Sequence, residues 1–177
     1  MSEPFFFCNK KVGNVYSSKF KMYVIKLRKN RNTKAKGRQI SMSIKIEKAA
    51  TNHQKGYNCA QAVACAFSEE MGIGENVIFK MMEGHGLGMG CMEGTCGAIT
   101  GAVAVIGALK SAGNLEKPAS KGATYKVSGE LVKRFQEKNQ AIRCKDLKGI
   151  ETGKVLRSCP GCIEDATAIL EEILEEK

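Results

Sequence analysis

At 177 residues the chain is long enough for one domain with a buried core and short for two. It is 43% hydrophobic, with no tryptophan and only three prolines, a composition that disfavours a loop-rich β sandwich and suits a helical fold. The net charge of +10 does not describe a basic domain: residues 1–41 hold eleven Lys/Arg against the single acid Glu3, whereas residues 42–177 hold 17 of each sign. That neutrality argues against a nucleic-acid surface on the domain.

The first 41 residues carry a short β-prone run, Met22 to Leu27, inside a basic and polar stretch. They read as a disordered basic N-terminal arm or as an upstream start assigned in error, with the domain opening at Met42. Phe5 to Phe7 is far too short an apolar run for a secretory leader. The longest apolar run, Cys96 to Leu109, falls short of the roughly 20 residues of a bilayer span. The expectation is a cytoplasmic protein without membrane insertion. In a reducing compartment, eight cysteines read as redox or metal groups more naturally than as permanent crosslinks.

From Ser43 the apolar spacing is helical. Ser43 to Gln54 forms a turn or two, and Asn58 is placed to cap a helix over Cys59 to Met71, with Cys59, Val63, Ala66 and Phe67 on its buried stripe. A short helix over Glu75 to Met82 leads into the glycine-rich loop "EGHGLGMGCMEG". The loop matches neither G-x-G-x-x-G nor G-x-x-x-x-G-K-[ST], so it is not read as a phosphate cradle. A helix of small residues follows, about Thr95 to Lys110, with Gly97, Gly101, Ala104 and Ala108 on one face that admits a second backbone. Ala123 to Asn139 is an amphipathic helix through Tyr125, Leu131, Val132 and Phe135. Cys144 to Gly149 makes a brief turn, and Cys159-Pro160-Gly161-Cys162 opens the last helix, which runs to about Glu176.

The chemistry on offer is that of sulfur. Cys96 stands at the first turn of the small-residue helix, where unpaired N–H groups and the helix dipole favour a thiolate. Cys159 and Cys162 form a C-x-x-C at a helix start, spaced to close and reopen a disulfide. No βαβ pattern surrounds it, which separates it from a thioredoxin motif, and Ile163 stands where c-type haem attachment needs histidine. Alternatively, C-x4-C at Cys91 and Cys96 joined to C-x2-C at Cys159 and Cys162 has spacings open to zinc or an iron–sulfur cluster. His85 in the glycine loop is a lesser candidate for ligation or proton transfer, and His53 lesser still. Cys8 and Cys65 read as packing residues.

The blocks "GYNCAQAV", "GTCGAITGA", "CKDLKG" and "SCPGCIEDATAILEEIL" together resemble the C_GCAxxG_C_C family of redox-active proteins, over about Met42 to Lys177. The resemblance implies four shared cysteines, here Cys59, Cys96, Cys144 and Cys159, and a redox role inferred from them. Cys91 and Cys162 lie outside that set. Family members are small and many are encoded near transporter genes, so the resemblance also implies a functional link to a transporter.

The sequence thus predicts an all-α fold, a single compact helical bundle over residues 42–177 preceded by the basic arm 1–41. A cluster of cysteines is expected to perform thiol–disulfide or electron-transfer chemistry, as a thiol–disulfide oxidoreductase. Its candidate catalytic residues are Cys96 as attacking thiolate, Cys59 or the Cys159/Cys162 pair as resolving partners, and Cys144 in the same cluster. A redox partner protein or a small thiol would exchange electrons with it. The alternative is a metal or iron–sulfur module without turnover, ligated from Cys59, Cys91, Cys96, Cys144, Cys159 and Cys162. In a third reading the thiols only fill the core. A chain starting at Met42 is expected to keep the helical circular dichroism and melting temperature of the full chain, since the arm carries little of the periodic apolar pattern; loss of cooperative unfolding would contradict this.

Overall fold

The computed structural model describes residues 43–176, and the expectation for residues 1–41 lies outside them. The described chain is helical, and its one β element is an isolated antiparallel bridge between Thr95 and Arg143. Helix α1 spans Ile44–Gln54, α2 Cys59–Ala66, α3 Ser68–Met71 and α4 Glu75–Met82. A 3-10 turn, Glu83–His85, and a left-handed turn within Gly86–Met89 follow. Then come α5 Gly97–Lys110, α6 Lys121–Asn139, α7 Cys144–Lys148 and α8 Cys159–Glu176.

The centre of the bundle is α2. All eight of its residues are buried, as expected of a helix apolar on every side. It packs most extensively on α5 and then on α1, α4 and α8. Its start is fixed by a reciprocal cap: the Asn58 side chain accepts from the Ala60 and Gln61 N–H groups, and Gln61 accepts from the Asn58 N–H, each at 2.9 Å. Asn58 also donates to the Glu83 carbonyl at 2.9 Å, tying the head of α2 to the end of α4.

The expected single helix from Cys59 to Met71 is broken at Phe67, whose backbone leaves the helical region at φ −107°, ψ 17°. The cause lies in α1. The buried Lys45 ammonium donates to the Ala66 carbonyl at 3.1 Å, pairs with Glu70 at 2.5 Å and sits 5.5 Å above the Phe67 ring. A cation at a helix C-terminus satisfies carbonyls the break leaves open. At the same end of α1 its cap, Ser43, hydrogen-bonds Glu171 of α8, and the helix runs to eleven residues rather than the expected turn or two.

Helix α6 turns a stripe of Val127, Leu131 and Phe135 into the core, each worth about 1.5–3 kcal/mol of burial. Tyr125, expected on that stripe, is 69% exposed; the buried register is one of four-residue steps from Val127, and Tyr125 falls two residues outside it. Among the described residues no helix is long and apolar enough to cross a membrane.

The small face of α5 is used at its N-terminal half. A Cβ on Gly101 would lie 2.5 Å from the Ala60 carbonyl oxygen and 3.1 Å from its Cα, and a Cβ on Gly97 would collide with the Cys59 sulfur. Ala108 is exposed and Ala104 half-buried, so the close approach ends before them. Gly101→Ala is expected to lower stability by about 1–3 kcal/mol in chemical denaturation, because the obstruction is backbone. Gly107→Ala, with nothing within 4 Å of the new atom, should instead gain up to about 1 kcal/mol from helix propensity.

Candidate functional site

Four backbone devices gather the sulfurs. The close approach of α2 and α5 sets Cys59, first residue of α2, under Gly97 and beside Cys96, the residue that precedes α5. The strand-like pairing of segments 92–96 and 142–145 comes next: Cys96 N–H donates to the Ile142 carbonyl at 2.8 Å, and the Cys144 and Lys145 N–H groups donate to Gly94 and Met92 at 3.0 Å each. This holds Cys144, at the head of α7, opposite Cys96. Third, the Leu156 and Arg157 N–H groups both donate to the Leu147 carbonyl, at 3.0 and 3.2 Å, which delivers the C-x-x-C of α8 to the same end of the bundle.

The fourth device is the glycine loop. Leu87, Gly88, Met89 and Gly90 all have positive φ, at 52°, 58°, 62° and 80°. The non-glycine residues in this conformation cost of order 1 kcal/mol each, and such strain persists where surrounding contacts determine it. Here the Leu87 N–H faces the Cys59 sulfur, and Gly88 abuts the Cys144 Cβ, leaving no room for a side chain. Only its glycines signalled this turn in advance.

All seven described cysteines are free thiols. Cys96 hydrogen-bonds the Cys162 sulfur, and the Cys162 thiol in turn lies 4.0 Å from the Arg157 carbonyl as donor. Cys59 and Cys144 each lie within electrostatic range of both Cys96 and Cys159. Cys96, Cys144 and Cys162 are buried, at 5%, 5% and 2% exposure, and Cys59 is at 9%; Cys159 is half-buried. Cys91 stands apart, exposed and donating to the Gly88 carbonyl at 3.5 Å. Cys65 is buried on the far face of α2, its thiol 3.8 Å from the Glu75 carbonyl, and burial followed by the Glu75 charge pushes it up to about 11. Cys8 lies outside the described residues.

The protonation of Cys96 is opposite to the helix-terminus expectation. The Ala98 and Ile99 N–H groups do favour its thiolate, but the hydrogen bond to Cys162, then burial, then the Cys162 charge outweigh them and hold its pKa far above the ordinary value. Cys96 therefore keeps its proton and donates it. Burial pushes Cys144 up to about 11, the Cys96 charge adding to it and Lys148 opposing. Cys59 is raised by burial despite the Leu87 N–H.

Beside Cys162 lies a charge network the sequence reading missed. Asp165, 1% exposed, accepts from Arg157 at 2.8 and 3.1 Å in a two-pronged pair and from Lys138 at 2.7 Å. Arg157 lies flat against Gly161, where any Cβ would strike the guanidinium, and its charge attracts a negative Cys162. The available signal was an arginine two residues before the C-x-x-C and an acid three residues after it.

The thiolate cage needed for zinc or an iron–sulfur cluster is not formed among the described residues. Among the described residues no group of three or more His, Cys, Asp or Glu side chains is arranged to hold a metal ion. Cys91 is turned away, and Cys162 is engaged by Cys96. His53 is spent on the Tyr57 carbonyl, its Nδ1 2.9 Å away, while His85 Nδ1 is buried without a hydrogen-bond partner.

This arrangement of thiols around one helix end defines a cysteine-based redox protein of all-α fold. A family model described as "Putative redox-active protein (C_GCAxxG_C_C)" matches residues 57–173, and the chain belongs to that family. No curated protein and no solved structure gives a match to the chain.

Arg157→Gln should destabilise the protein by about 1–3 kcal/mol at neutral pH, because it strips a buried carboxylate of its two-pronged partner. Burial raises the Asp165 pKa, but Lys138 and Arg157 outweigh it and the net shift is downward. The stability contributed by its charge is thus complete above the unfolded value of about 3.9 and is lost as pH falls through the lower folded value. Denaturation curves of wild type and variant should converge in that acid window.

Proposed function

We propose that the protein is a cytoplasmic thiol–disulfide oxidoreductase whose working couple is Cys96 and Cys162. The observation that carries this is their mutual contact: a thiol before α5 donates directly to a sulfur in the first turn of α8. Oxidation of the couple removes two electrons and two protons and joins the two sulfurs. The surroundings suit that chemistry. Arg157 offers positive charge beside Cys162, and Cys96 donates its S–H to the Cys162 sulfur. A thiolate, not a thiol, is the attacking species in disulfide exchange. In this reading Cys162, beside the Arg157 charge, takes the nucleophilic part expected of Cys96, and Cys96, which holds its proton more firmly, resolves. Electrons pass to and from a redox partner protein or a small thiol, and no metal is required for the step.

Treatment of the reduced full chain with diamide, followed by non-reducing peptide mapping, should yield a linked Cys96–Cys162 peptide. Cys96→Ser and Cys162→Ser should each abolish it, and a redox titration of wild type should follow a two-electron couple. A map dominated by other pairs, or by unlinked thiols after full oxidant consumption, would remove the basis of this reading.

A further inference from the structure

Cys96 and Cys162 are closed off from solvent, at 5% and 2% exposure, so a substrate disulfide does not reach them directly. Cys159 is the one half-buried sulfur of the cluster. It lies three residues before Cys162 on α8, and residues at that spacing in a helix are neighbours on one face. We infer that Cys159 is the outer thiol through which the buried couple reduces its substrate, and that the substrate is a low-molecular-weight disulfide. This rests on the oxidoreductase reading above.

The exchange proceeds in three displacements. The Cys159 thiolate attacks one sulfur of the substrate R–S–S–R, forming Cys159–S–S–R and releasing RS⁻. Cys162 attacks the Cys159 sulfur, forming the Cys159–Cys162 disulfide and releasing the second RS⁻. Cys96 then attacks the Cys162 sulfur, forming Cys96–Cys162 and returning Cys159 as a thiolate. Two thiols of the protein are oxidised, one disulfide is reduced to two RSH, and the two protons come from Cys96 and Cys162.

The geometry orders these steps. While Cys162 is reduced, its hydrogen bond with Cys96 is the chief cause holding the Cys96 proton. Once Cys162 is bonded to Cys159, that cause and the Cys162 charge vanish. The Ala98 and Ile99 N–H groups then face the Cys96 sulfur with its strongest opposing cause removed, so the innermost thiol is released for attack at the moment its target forms. The substrate is small because the outer sulfur is itself half-buried, in a cluster whose four other sulfurs are more enclosed. Exchange rate depends on access as well as on thiolate fraction.

The test is single-turnover reduction of bis(2-hydroxyethyl) disulfide by the reduced full chain, with Cys8 and Cys91 replaced by serine to lower background. In a Cys162→Ser variant the mixed disulfide should accumulate on Cys159, and in Cys96→Ser the Cys159–Cys162 disulfide should be trapped. Cys159→Ser should slow formation of Cys96–Cys162 by at least about tenfold, as access is lost. In protein with all cluster cysteines present, quenched time points should show the Cys159 adduct before Cys96–Cys162, a readout independent of whether any cluster variant folds. Adducts first on Cys59 or Cys144, or an unchanged rate in Cys159→Ser, would overturn the outer-thiol role while leaving the couple intact. Reduction of insulin as fast as of the small disulfide would overturn the substrate class. Failure of Cys96–Cys162 to form with diamide as well would instead overturn the couple and this inference with it.

Discussion

The contact on which the rest depends is backbone against backbone, where α5 lies on α2. Gly101 leaves the space that the Ala60 carbonyl occupies, and Gly97 leaves the space of the Cys59 sulfur. Helices carrying larger residues there would stand further apart, at the 8–10 Å separation common for side-chain-mediated packing. Cys59 and Cys96 would separate with them. The alanines of α2 serve the same end from the other side, since a helix buried all round and crowded by four neighbours has no room for long side chains. The core is therefore fixed by shape, and the thiols take their places as a consequence of the packing.

Much of the fold was legible because local chemistry and global packing agree. Asn58 reads as a cap and is one; α4 and α8 begin and end where their apolar periods do. Departures arise where a distant residue intervenes. The break at Phe67 is made by Lys45 from the preceding helix, and no window around Phe67 contains that information. Tyr125 lies off the four-residue register that the packing of α6 begins at Val127. In the site, the motif blocks pointed to sulfur, yet the thiol that touches Cys96 is Cys162, outside the four shared positions. Spacing along the chain told nothing of which of two cysteines one turn apart would face inward.

The electrical reading of Cys96 failed for a related reason. A helix start favours a thiolate when solvent or a cation is the competing neighbour. Here the neighbour is a second sulfur in a buried site, and two adjacent groups of one kind do not both ionise readily. The hydrogen bond to that sulfur holds the proton on Cys96. The helix start contributes, but as a smaller influence than the partner across from it.

Gly161 carries a consequence for how this site can vary. The residue lies inside the C-x-x-C, and its missing side chain is the seat of Arg157, which is in turn paired with Asp165. Any larger residue at 161 displaces the guanidinium from Asp165 and from its place beside Cys162. The inner positions of the motif are thus not an independent dial for redox tuning: spacer, arginine and carboxylate are inherited as one unit. Among descendants of this sequence, a side chain at 161 should travel with the loss of the arginine at 157 and the acid at 165.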